Sequence, residues 1–162
     1  MSDLSPLEWA VRPIKHYADF KGRAPRAEYW WFYLLTVIVD IPPRLIDGAL
    51  GTHDALSSLV SIAFLLPWLA VTVRRLHDLN RGGWWLLVFI AGFAAAGLFM
   101  VAASSSASVI AAFEPAGLIV FGLVMVALVV AYLFFMVAPG TEGSNDYGPD
   151  PYGPDDLEEV FA

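Results

Sequence analysis

Residues 116–138 read AGLIVFGLVMVALVVAYLFFMVA, twenty-three positions without a charge. A helix rises about 1.5 Å per residue, and a hydrocarbon core about 30 Å thick takes roughly 20 residues. The run is long enough to cross a bilayer. Three more apolar runs precede it, at about 84–103, 56–73 and 29–50. The expected fold class is therefore all-α: a polytopic integral membrane protein whose four transmembrane helices form a small left-handed bundle. Ala91, Gly92, Ala95, Ala96 and Gly97 in the third run are small residues that let membrane helices approach closely.

Composition agrees. Of 162 residues, 58% are hydrophobic and 15% charged, with a mean hydropathy of +0.63; a soluble domain has about 25% charged residues. There are no cysteines, so disulfides and thiolate metal sites are excluded. His16, His53 and His77 stand far apart, without metal-ligand spacing. No metal or other cofactor is expected. The net charge of −7 comes from the tail, where Glu142, Asp146, Asp150, Asp155, Asp156, Glu158 and Glu159 meet no base. The body is neutral, and nothing in it suggests nucleic acid as a partner.

Between the second and third runs lies RRLHDLNRGGWW, Arg74–Trp85. It joins two apolar runs, so it is a turn at one membrane face. Arg74, His77, Asp78 and Arg81 fall at i, i+3, i+4 and i+7 on one helix face, with Arg75 off it. Asn80 to Gly83 are expected to end the helix, glycine tolerating the left-handed cap. Before the first run comes FKGRAPRAEYWW, residues 20–31, a basic segment followed by aromatic residues. Lys and Arg concentrate in Arg12, Lys15, Lys21, Arg23, Arg26 and in Arg74, Arg75, Arg81, while the other side has only Arg44. The positive-inside rule then places both termini in the cytoplasm. The loop 104–115 falls on the far side, so its serines cannot serve His77.

The chain divides into a basic segment, 1–28, a four-span domain, 29–138, and an acidic Gly/Pro-rich tail, 139–162. Ser5, Pro6 and Glu8 form a helix-start signature, and the apolar stripe that follows suits an amphipathic helix in the membrane interface or packed on the protein itself. Pro13 is expected to kink or divide it. LEEVFA near the C-terminus suits a last weak helical turn.

The first run is broken by Asp40, Pro42, Pro43, Arg44 and Asp47. Asp40, Arg44 and Asp47 are spaced to share a helix face. A kinked helix with a shielded outer half accommodates them, and so does an outer turn after Ile41.

On the cytoplasmic side three polar stretches converge: 20–31, 74–85 and the tail's PGTEGSNDYGP. Glu28, Asp78, Glu142 and Asp146 are candidate carboxylate partners for Arg23, Arg26, Arg74, Arg75 and Arg81. The alternative occupant of such a basic cluster is an anionic lipid headgroup or another phosphate. His77 beside Asp78 is a weak acid–base hint, since no nucleophile or metal stands near it.

These stretches resemble a bacterial inner-membrane family of unknown function, the YhaH/YhaI-like family (domain of unknown function 805). The resemblance rests on F-x-G-R-A-x-R-x-E-Y-W-W at Phe20–Trp31 and R-R-L-H-D-x-x-R-x-G-W-W at Arg74–Trp85. It also rests on Gly140, Thr141, Gly143, Asn145, Tyr147 and Gly148 of the tail. Asp47 matches an acid often found late in that family's first span. The resemblance implies four helices in the cytoplasmic membrane and carries no established activity.

Three functions fit. The favoured one is a non-enzymatic protein whose cytoplasmic cluster binds lipid headgroups or a membrane protein partner, with homo-oligomers allowed. The second is an oligomeric transporter or channel subunit with Asp40, Arg44 and Asp47 along a path. The third is an enzyme acting on lipid phosphates through His77 and Asp78.

Overall fold

The computed structural model describes residues 4–105 and 115–152. All elements named in it are helices: α1 (Pro6–Lys15), α2 (Arg26–Leu50), α3 (Ala55–Asp78), α4 (Trp84–Ser105) and α5 (Pro115–Val137). Most of the loop 104–115, with Glu114, and the LEEVFA segment lie outside the described residues. Among the described residues three helices are long and apolar enough to cross a membrane: Ala55–Asp78, Trp84–Ala102 and Gly117–Val137. The charge-free part of α3 is Leu56–Val73; its polar last turn, Arg74–Asp78, stands beyond that stretch.

Two compact units form. One contains α1, α2, α3 and the tail from Ala138; the other contains α4 and α5.

In the first unit α1 opens with the capping box read from the sequence. The Ser5 hydroxyl accepts from the Glu8 N–H, and the Glu8 carboxylate accepts from the Ser5 N–H at 2.7 Å. The Ser5 hydroxyl, which also donates to that carboxylate, and the Ser5 N–H hold the Glu8 carboxyl below its usual value. Pro13 does not divide α1: the helix runs through it with Trp9, Ala10 and Pro13 buried. The face that packs is thus Trp9, Ala10 and Pro13, with α1 lying against α2 and α3, while Leu7 and Ile14 of the apolar stripe stay exposed.

Helix α2 also runs unbroken through Pro42 and Pro43 to Leu50, so the polar cluster is no outer turn after Ile41. Asp40 and Arg44 pair on it as expected. Asp47 does not join this pair. Its carboxylate accepts from the Leu56 and Ser57 N–H groups at 3.1 and 2.8 Å, the Ser57 hydroxyl at 2.8 Å and the Thr52 hydroxyl. A helix start leaves its first N–H groups unsatisfied and carries partial positive charge. The residue at the α3 cap position, Asp54, has φ 62° and makes no side-chain cap bond. The acid of the preceding helix does that work, closing the α2–α3 turn.

Helix α3 contains Pro67, which has no N–H, so the carbonyl four residues earlier, Ala63, loses its helical donor. The Tyr17 hydroxyl donates to that carbonyl at 2.6 Å. The segment after α1 is thereby fastened to the middle of α3. We expect Tyr17→Phe to cost about 1 kcal/mol, measured by thermal unfolding in detergent. The same change in a Pro67→Ala background, where residue 67 brings its own N–H, should cost much less. Equal costs in both backgrounds would remove the proline from this account.

The second unit is apolar all round, as suits helices in contact with lipid or other apolar helices. Gly92 marks its closest approach: a Cβ there would sit 2.7 Å from Cδ1 of Leu128. The glycine admits that side chain, in line with the small residues read in the third run. Phe89 packs edge-on against Tyr132 and Phe135 beside it.

Candidate functional site

At the polar end of the first unit the three stretches interlock into one clasp. Its centre is the C-terminus of α3. A helix end leaves carbonyls without donors and is partly negative. Asn80, at φ 54°, takes the left-handed position expected of a glycine. Its N–H donates to the His77 carbonyl at 2.9 Å, and the Arg81 N–H to that of Leu76 at 2.9 Å. This is the six-to-one and five-to-two pattern of a Schellman cap. Asparagine fits because its short polar side chain tolerates this conformation better than other non-glycine residues do.

The tail completes the cap. The Thr141 N–H and hydroxyl donate to the Asp78 carbonyl at 2.9 and 3.1 Å. The Asn145 amide donates to the His77 carbonyl at 2.9 Å. From the other side the Ala24 N–H donates to the Arg74 carbonyl at 3.0 Å. The Asn145–Gly148 turn closes on itself through two backbone bonds and presents Tyr147, whose ring stacks on His77 at 3.9 Å between centroids.

The charged groups form two buried centres. In one, Glu28 pairs with Arg74 at 2.7 Å and Arg12 at 3.5 Å. In the other, Asp78 pairs with Arg75 and, at 3.0 Å, with Arg23. Arg75, off the face shared by Arg74, His77 and Asp78, is fully buried and among the most enclosed of the set. Its guanidinium reaches the Asp78 carboxylate and the Ala138 carbonyl. Burial pushes the Asp78 carboxyl above its usual value, opposed by the positive charges of Arg75 and Arg23. Burial likewise lowers the Arg75 guanidinium, opposed by Asp78. Opposite charges leaving water together show these two signs.

In the clasp three buried arginines, Arg23, Arg74 and Arg75, meet two buried carboxylates, Glu28 and Asp78. The surplus positive charge is met by oriented carbonyls. Arg23 donates to the Thr141 and Gly143 carbonyls as well as to Asp78. Of the four expected carboxylate partners, Glu28 and Asp78 pair with the arginines, whereas Glu142 and Asp146 of the tail are exposed and the tail meets Arg23 through backbone carbonyls. Gly140 makes the fit possible: a Cβ there would lie 2.7 Å from Cγ and 2.8 Å from Oδ1 of Asp78.

His77 and Asp78 do not form an acid–base pair. The His77 Nδ1 meets the Gly22 carbonyl at 3.2 Å, which requires Nδ1 to carry the hydrogen. The Asp78 carboxylate turns to the arginines. Arg26 and Arg81 are exposed, Arg81 standing past the helix end. Asp40, Arg44 and Asp47 lie away from the clasp, and Asp47 is held by the start of α3. No group of three or more His, Asp or Glu able to hold a metal occurs among the described residues. The contacts missed by sequence reasoning include the tail's carbonyls, the Thr141 and Asn145 side chains on the α3 cap, and the Tyr147 ring on His77.

Helices of membrane-crossing length and a buried, charge-compensated clasp define a small multi-helix membrane protein. The chain belongs to the family described as "Protein of unknown function (DUF805)", which matches residues 17–149. It is 31% identical over 150 residues to "Inner membrane protein YhaH" of Escherichia coli (strain K12), covering 90% of this chain and 97% of that protein. It is 34% identical over 146 residues to "Inner membrane protein YhaI" of the same strain, covering 90% and 96%. "Uncharacterized protein YiiR" is 31% identical over 138 residues, covering 82% and 85%. No solved structure matches.

Proposed function

We propose that this is a non-enzymatic protein of the bacterial inner membrane that gathers anionic lipid headgroups at its cytoplasmic end. The observation that carries the reading is the disposition of the bases. Arg23, Arg74 and Arg75 are spent on internal acids and carbonyls. Lys15, Lys21 and Arg81 are exposed around the same end of the first unit. The clasp shapes the platform, and the outer bases face the headgroups. Catalysis on lipid phosphates finds no support, because His77 is occupied by Gly22 and Tyr147.

On this reading four helices span the membrane, with 1–28 and 139–162 cytoplasmic. Helix α2 is 25 residues, roughly 37 Å, long enough to cross. Its Asp47 is satisfied internally and its Asp40 is paired with Arg44, which supports its passage through an apolar phase. Between α3 and the tail lie α4 and α5, one pair of crossings, which returns the chain to the side of the clasp.

Native mass spectrometry of the protein, extracted with mixed phosphatidylglycerol and phosphatidylethanolamine, tests this. Each base near a charged surface is worth about 1 kcal/mol. The Lys21→Gln, Arg81→Gln double variant should therefore retain roughly thirtyfold less phosphatidylglycerol. Equal retention of both lipids by both proteins would refute lipid recruitment. A retained protein partner lost in the variant would refute it in favour of partner binding.

A further inference from the structure

A groove of about 250 Å³ runs between the middles of α2 and α3, away from the clasp. Its walls include Thr36 and Asp40 from α2, and Ser61, Phe64 and Trp68 from α3. The α3 residues sit inside the charge-free stretch Leu56–Val73, so the groove lies at the level of apolar surroundings. Among its residues is one ionised group with an unmet need. Asp40 Oδ2 accepts from Arg44, whose side chain is 63% exposed. Asp40 Oδ1 is buried and has no hydrogen-bond donor among the described residues. A buried carboxylate oxygen without a donor is costly.

The other polar atoms here also call for a donor. The Thr36 hydroxyl gives its hydrogen to the Tyr33 carbonyl at 2.7 Å, which leaves its oxygen as an acceptor. The Ser61 hydroxyl stands on the opposite wall. The rings of Phe64 and Trp68 offer negative faces, which attract cations. An anion is refused by the sign of the carboxylate. We propose that this groove is a binding site for a protonated amine on an apolar body, its N–H donating to Asp40 Oδ1 and its body lying along Phe64, Leu65 and Trp68. The volume is below the range of about 300–1,000 Å³ usual for drug-sized ligands, which limits the occupant to a small amphiphile. The proposal uses none of the cytoplasmic bases and stands apart from lipid recruitment at the clasp.

The test is calorimetric titration of phenylbutylammonium and its neutral match, phenylbutanol, into the full-length protein in uncharged maltoside micelles, against micelles alone. The ammonium should bind saturably and about tenfold more tightly than the alcohol, a difference of about 1.4 kcal/mol. Asp40→Asn should remove most of that preference. Ser61→Leu keeps the carboxylate and fills the groove, so it should abolish saturable binding of both probes; it carries the test if Asp40→Asn does not fold. Equal binding of ammonium and alcohol, unchanged affinity in either folded variant, or partition into micelles alone would overturn the site.

Discussion

Asp78→Ala should cost about 3–5 kcal/mol and free the tail, because it leaves two buried guanidinium groups without their carboxylate. Arg23 and Arg75 both converge on this side chain, Arg75 is fully buried, and burial alone already works against its charge. The ion pairs add less to stability than their number suggests, since both partners lose hydration on burial. Removing one partner is different: the desolvation of the others remains and the attraction is gone. The measurement is thermal unfolding in detergent beside limited proteolysis of the tail. A variant with unchanged midpoint and an uncut tail would show that the carbonyls of Ala138, Thr141 and Gly143 suffice to hold both arginines. Replacing Asp78, Arg23 and Arg75 together by uncharged residues should cost less than Asp78→Ala alone.

Gly140→Ala should be nearly as damaging at the tail and far milder in the helices. The added Cβ would overlap the Asp78 carboxyl group, 2.7 Å from Cγ and 2.8 Å from Oδ1. That carboxyl cannot turn aside without giving up Arg23 or Arg75, so the tail must move. We expect a loss of about 1–3 kcal/mol, the usual range for overpacking. The readout specific to docking is the His77–Tyr147 stack, whose ring-current shifts on the His77 protons should vanish. Persistence of those shifts with unchanged proteolysis would mean that the 138–147 segment absorbs the methyl group in place.

Much of the architecture was legible because it depends on residue type at fixed local spacing. The capping box of Ser5 and Glu8, the apolar runs, and the convergence of three polar stretches are of this kind. The internal pairing of Glu28 and Asp78 with arginines followed from sign and side. What escaped reading depends on backbone or on distance. Arg75 was placed off the shared helix face by angular spacing, but a long side chain in the last turn reaches past the helix end to Ala138. Asn80, rather than a glycine, holds the left-handed position, a choice that sequence offers but does not make. Asp47 caps a helix that begins eight residues later, beyond any local capping pattern. The tail holds Arg23 and Arg75 through its carbonyls, which every residue has and no pattern distinguishes.

The clasp also has an order of assembly. Translation runs from the N-terminus, so Arg23 and Arg75 are made well before Ala138, Thr141 and Gly143, whose carbonyls they reach. Until then these arginines lack their last acceptors. On the orientation proposed here, a nascent chain thus shows the insertion machinery its full set of cytoplasmic positive charges, the period in which such charges set topology. Tail closure afterwards engages two of them, Arg23 and Arg75. The same guanidinium groups serve first as an address and then as a lock, and a ribosome stalled before residue 141 would hold a chain correctly threaded but still unlatched.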